Sequence, residues 1–240
     1  MGKISKNKAL LSLPIIVFII YFSAGLLYDP IYIRYSKPLI IPTFLVYAIM
    51  NNRKALTLNY YFFVAFFYMN EVLLLFFEDS IPLFRTALIA SFFCYLTLIS
   101  LGYKAIKNKN LYTVPKGFTL FIFIINCVFL VFIIYLLISS ISDLCLNIII
   151  IFNALITVLL GVTAVLFLGS FTDKKTYFYF FGSFALIFND IFAAIGTFFI
   201  SNIVLNTLDR LLHFVAFYLI YLFVITDSTN KNEQKELSAF

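Results

Sequence analysis

The chain has 240 residues, of which 63% are hydrophobic and only 12% charged, and it includes 32 Phe and 16 Tyr. So little polar surface excludes a soluble globule of this size and requires a bilayer as solvent. The net charge of +6 is carried by Lys and Arg in short gaps between apolar runs; it forms no basic face with interleaved aromatics, which excludes nucleic acid as a partner and makes these residues reporters of topology.

In chain order, apolar runs bounded by charges and turn residues predict an all-α, polytopic membrane bundle of eight transmembrane helices. They are Ala9–Leu27, Ile31–Met50, Asn59–Phe77, Pro82–Tyr103, Gly117–Ile138, Leu144–Leu168, Thr176–Ile200 and Leu205–Thr226. About 20 residues at about 1.5 Å each cross the hydrocarbon, and only helices satisfy the backbone of such runs in lipid. The first run, with its Lys-rich flank and Ser23-Ala24-Gly25, imitates a signal sequence but is long for one, so it is expected to stay as a span. Lys37-Pro38 and Pro42 predict a broken second helix. Residues 1–226 read as one membrane-embedded domain, and 227–240 as a polar, disordered cytoplasmic tail.

With eight spans, Lys3, Lys6, Lys8, Arg53, Lys54, Lys104, Lys107, Lys109, Lys116, Lys174, Lys175, Lys231 and Lys235 share one side, and Arg34, Lys37, Arg85 and Arg210 the other. The excess of positive charge marks the first side as cytoplasmic, so both termini are expected inside. The protein is expected as a multi-pass component of a bacterial cytoplasmic (inner) membrane. Cys94, Cys127 and Cys145 form no CxxC pair and His213 is the single histidine, so neither a disulfide framework nor a zinc site is indicated, and no cofactor is expected. Met1-Gly2 lacks the Ser or Thr of a myristoylation signal, since Lys6 occupies that place.

Two acids fall deep within apolar runs, Glu71 in span three and Asp190 in span seven, each directly after an asparagine, Asn70 and Asn189. A carboxyl at such depth faces a cavity or a partner, which makes both candidates for function. Counted from the cytoplasmic ends, Lys37, Glu71, Asp190 and His213 all lie roughly 18 to 21 Å deep at about 1.5 Å per residue, in one layer of the outer membrane half. Lys37 in this layer suits an anionic headgroup or snorkels to the interface, and His213 suits catalysis or a buried hydrogen bond.

Three segments carry a resemblance: Tyr35-Ser-Lys37-Pro38, Phe67-Tyr-Met-Asn70-Glu71-Val-Leu-Leu-Leu, and Gly182-Ser-Phe-Ala-Leu-Ile-Phe-Asn189-Asp190, with a looser fourth in Phe217-Tyr218-Leu-Ile-Tyr221. In this order the chain resembles the YhhN or lysoplasmalogenase family of eight-span membrane proteins. Glu71 stands where the family has Asp, Asn70 where it has Gly, Asn189 where it has Ser, Tyr221 where it has Gln, and Cys94 near a family His. The resemblance implies hydrolysis of the vinyl ether bond of lysoplasmalogen-type lysophospholipids, with release of a fatty aldehyde. It places Glu71 and Asp190 as the catalytic acid and base, in either order, and Lys37, Asn70, Asn189, His213, Tyr218 and Tyr221 around a lipid substrate. A non-catalytic lipid-binding protein or a proton-coupled transporter would use the same buried acids.

The orientation is open to a direct check. In a cysteine-free background, a cysteine introduced at Lys107 is expected to react with an impermeant maleimide only in inverted vesicles, and one at Asp143 only in right-side-out vesicles. The reverse labelling would overturn the inside-positive assignment.

Overall fold

The computed structural model describes residues 12–20, 23, 27, 31–76, 80–106, 117–170, 174–199 and 203–237. Among them no strand occurs, as expected where the backbone has no water to bond with and each segment must satisfy its own N–H and C=O groups. The helices are α1 (residues 12–20), α2 (Ile31–Asn52), α3 (Leu58–Leu74), α4 (Ile81–Ile106), α5 (Phe118–Ser140), α6 (Leu144–Ser170), α7 (Lys174–Phe198) and α8 (Ile203–Leu237), with a 3-10 turn at Arg53–Ala55. Among the described residues four stretches are long and apolar enough to cross a bilayer: Ile81–Lys104, Leu144–Gly169, Lys174–Gly196 and Thr207–Thr226. Two shorter apolar helices, Pro38–Asn51 and Phe123–Ser139, accompany them.

Local chemistry sets the ends. Thr57 caps α3, its hydroxyl accepting from the Tyr60 N–H. Asp143 caps α6, with Oδ1 accepting from the N–H groups of Cys145 at 2.9 Å and Leu146 at 3.2 Å. Its other oxygen pairs with Arg85 in the second turn of α4.

The break expected in the second helix is absent, because α2 runs unbroken through Pro38 and Pro42. Each proline removes a backbone donor, but in an apolar run the remaining groups have no partners except one another. The Thr43 hydroxyl adds a bond back to the Ile40 carbonyl at 2.7 Å. At the other end of the chain, α8 continues to Leu237, past the Thr226 at which the sequence ends its last span. The added turns are rich in Lys, Glu and Gln, which lose little rotamer freedom in a helix.

Side-chain pairs give the directions of the helices. The start of α3 meets the end of α4, where the Asn59 amide donates to Ser100 Oγ at 2.9 Å and Lys104 Nζ donates to Asn59 Oδ1 at 3.3 Å. α6 runs parallel to α4, with Asn153 donating to the Leu88 carbonyl at 2.9 Å. α2 runs parallel to α8, with ring contacts Phe44–Phe214 and Tyr47–Tyr221 at 5.0 and 5.3 Å. α7 and α8 are antiparallel and form the most extensive helix pair. Gly182 permits their approach, since an added Cβ would lie 3.1 Å from Ile220 Cγ1 and 3.3 Å from Leu219 Cβ.

α5 touches chiefly α6 and α7 and turns Phe121, Val128, Phe132 and Tyr135 outward, Tyr135 being 70% exposed. An apolar surface on this scale matches lipid rather than water. A small apolar cleft lies between α5, α6 and α7, lined by Phe123, Cys127, Thr157, Gly161, Phe184 and Ile187.

The Arg85 hydrogen bond, aided by the two capping N–H groups, holds the Asp143 carboxyl below its ordinary range. Because the folded-state value is lowered, this stabilisation is present above the unfolded carboxylate value of about 4 and disappears as pH falls through the lower folded value. Asp143→Asn is therefore expected to lower the melting temperature in detergent at pH 7, and the difference from the wild type should shrink below about pH 4. Equal melting temperatures of variant and wild type at pH 7 would contradict this role.

Candidate functional site

Aromatic rings fill much of the interior between α3 and α8. Phe63, Phe67 and Phe217 interlock between α3 and α8, with centroid separations of 5.4 Å for Phe63–Phe217 and 5.0 Å for Phe67–Phe217. His213 completes this group from α8. Its ring is fully buried, edge-on to Phe67 at 5.0 Å and stacked on Phe217 at 5.1 Å.

One turn beyond Phe67 along α3 come Asn70 and Glu71, both buried, since residues three and four apart share a helix face. Among the described residues the Asn70 Oδ1 atom has no hydrogen-bond partner. Glu71 approaches α4, where Cys94 and Tyr95 lie within electrostatic reach of both Glu71 and Asp190. Tyr95 is 1% exposed, and its hydroxyl donates to Asp190 Oδ2. The two acids of the sequence reading, carried by α3 and α7, thus both lie within electrostatic reach of one turn of α4, where Asp190 is hydrogen-bonded to Tyr95.

The neighbouring Asn189 makes a different link. With its amide nitrogen facing α8, it donates to both the carbonyl oxygen and Oδ1 of Asp209 at 2.8 Å. The opposite amide setting offers one contact of 3.3 Å to Asp190 Oδ1. Two short bonds, one of them to a carboxylate, outweigh one long bond and select the first setting. Asp209 in turn pairs with Arg210 through Oδ2 and Nη1 at 3.1 Å, and the two side chains are only 5% and 11% exposed.

Four helices therefore contribute to one polar layer: Asn70 and Glu71 from α3, Cys94 and Tyr95 from α4, Asn189 and Asp190 from α7, and Asp209, Arg210 and His213 from α8. Its described charged groups are three carboxyls and one guanidinium. Such a concentration of buried polar groups, linked across helices, is the pattern of a functional site within a membrane. A tyrosine hydroxyl, two carboxyls and an imidazole can together hold and move protons in a space closed to bulk water.

The remaining sequence candidates lie elsewhere. Tyr221 stacks near Tyr47, about 12 Å along α8 from His213 at 1.5 Å per residue, and Tyr218 lies between them. These tyrosines belong with Tyr60 and Tyr47 near the middle of α8, away from the polar layer. Lys37 is in α2, whose parallel register with α8 puts its backbone level with Asp209 and Arg210; its side chain lies outside the described residues, as does that of Arg34.

Tyr95 and Asp209 were not singled out by the sequence, and Arg210 was read as a residue near the outer interface. One signal was present: an acid and a base adjacent in the second turn of a predicted span. Tyr95 had none, being one of 16 tyrosines. In comparisons with family models, curated proteins and solved structures, nothing matches the chain.

Asn189→Leu removes both donors from Asp209 and is expected to destabilise the fold by about 1 to 3 kcal/mol, the cost of under-satisfying a buried polar group. Thermal unfolding in detergent measures it, and an unchanged midpoint would contradict the α7–α8 link.

Proposed function

We propose that the protein is a multi-pass membrane hydrolase that cleaves the vinyl ether bond of lysoplasmalogen-type lysophospholipids. In this reading it is similar to the YhhN family, crosses a bacterial cytoplasmic membrane eight times and keeps both termini inside. The antiparallel pairs α3–α4 and α7–α8 and the parallel pairs α4–α6 and α2–α8 fit spans that alternate in direction. The observation that carries the chemistry is that Glu71 and Asp190, from separate helices, are both within electrostatic reach of the turn of α4 where Tyr95 donates to Asp190.

A vinyl ether hydrolyses when a proton is delivered to carbon, producing an oxocarbenium ion that water captures as a hemiacetal; collapse then releases the aldehyde and the glycerophospho-headgroup. This logic is close to that of two-carboxyl glycoside cleavage. Asp190, already accepting from Tyr95, takes the part of the base that stabilises the cation and activates water. Glu71 delivers the first proton to carbon; as the hemiacetal collapses, Asp190 passes the proton it took from water to the departing glycerol oxygen, and Glu71 takes the hydroxyl proton, which restores both groups. Hydrocarbon around the layer holds the alkenyl chain and limits the water that reaches the ion.

The excess of carboxyls over cations in the layer favours a second reading, a proton-coupled transporter. The two separate in one experiment. Purified protein incubated with lysoplasmenyl lipid is expected to release fatty aldehyde, and Glu71→Gln with Asp190→Asn to reduce the rate by at least about 100-fold. Equal rates from both proteins would exclude the mechanism, and acid-driven solute uptake into proteoliposomes without aldehyde release would establish the transporter.

A further inference from the structure

The layer contains a cation that the acid–base step does not use. Arg210 is 9% exposed, yet its only ion-pair contact among the described residues is Nη1 on Asp209 Oδ2. Its Nε is buried without a hydrogen-bond partner among the same residues. A guanidinium has five donors in a rigid fork, and leaving a charged donor buried and unmet is expensive. The Nε/Nη2 edge has the geometry that takes two oxygens of a phosphate at once.

The surroundings fix this edge in place. Asn189 holds Asp209 by two bonds of 2.8 Å, and Asp209 holds the opposite side of the guanidinium. The arginine is therefore oriented from α7 through α8 rather than free to swing into water. Its depth also suits a headgroup. Arg210 lies three residues inside the Thr207–Thr226 span, about 4.5 Å along the axis, within reach of the layer where phospholipid phosphates lie. Asn189, which reaches Asp209, directly precedes Asp190 in α7, so the phosphate site and the acid lie on neighbouring residues of one helix turn.

We infer that Arg210, oriented by Asp209 and Asn189, is the binding site for the phosphate group of a lysophospholipid. This rests on the lipid-hydrolase reading for the identity of the ligand, but its test reads binding alone. The same phosphate chemistry is available from inorganic phosphate, and the arms of the test separate the two.

Full-length protein in detergent is titrated with lysophosphatidylcholine, with monoacylglycerol of the same chain length and with inorganic phosphate, and bound ligand is read by native mass spectrometry. The wild type should prefer the phosphate-bearing lipid. The charge-neutral pair Asp209→Asn with Arg210→Gln, which keeps an oxygen for Asn189, should weaken lysophosphatidylcholine by about 10- to 100-fold, the range of a charged hydrogen bond, and leave monoacylglycerol unchanged. Arg210→Lys keeps the charge without the fork and should fall between, which keeps the proposal testable should the double variant fail to fold. Competition by inorganic phosphate would extend the site to free phosphate, whereas its failure to compete would restrict it to the lipid. Unchanged preference in both variants, or equal loss of the neutral lipid, would overturn the proposal and leave the ion pair as a packing element. A protein with this preference that releases no aldehyde would refute the hydrolase and retain the phosphate site.

Discussion

Hydrocarbon offers a polar side chain no partner, so such a group sunk in the bundle is far more stable where it meets another polar group. Asn189 turns its amide to Asp209, Asp209 takes Arg210, and Tyr95 donates to Asp190. Each bond joins groups that would be far less stable apart, because in a low dielectric an unmatched donor or charge loses its hydration without replacement. The arrangement of α4, α7 and α8 follows from these links as much as from packing.

Packing supplies two kinds of seam. Where small residues meet a neighbour, backbones come close: Gly182 lies against α8, and a Cβ at Gly102 would run into the Tyr179 ring, whose hydroxyl donates to the Leu98 carbonyl at 3.0 Å. Where rings span the gap, as with Phe63, Phe67, His213 and Phe217 between α3 and α8, the helices stand apart. Close seams resist shear.

The helices were legible because long apolar runs in lipid have one solution, and the two acids because a carboxyl within such a run must meet a partner or a cavity. Their meeting at α4 was not legible. It depends on which face of each helix turns inward, and helices that are apolar all round carry little periodic signal. Asp209 escaped notice for a related reason: near the end of a span an acid beside a base reads as interfacial, and only the tertiary link to Asn189 shows it to be interior. The prolines of α2 misled in the opposite direction, since rules learned in water weigh a lost hydrogen bond against solvent that lipid does not provide.

The outward rings of α5 have a separate consequence. A helix that rests on two neighbours and otherwise meets lipid is selected by its solvent rather than by its partners, so most of its positions accept any residue of similar oiliness. Sequence drift should therefore run fastest there and slowest along α7, where a glycine, an amide and an acid each answer to a particular atom on another helix. The bundle would then age unevenly, its rim exchanging residues freely around a layer that keeps them.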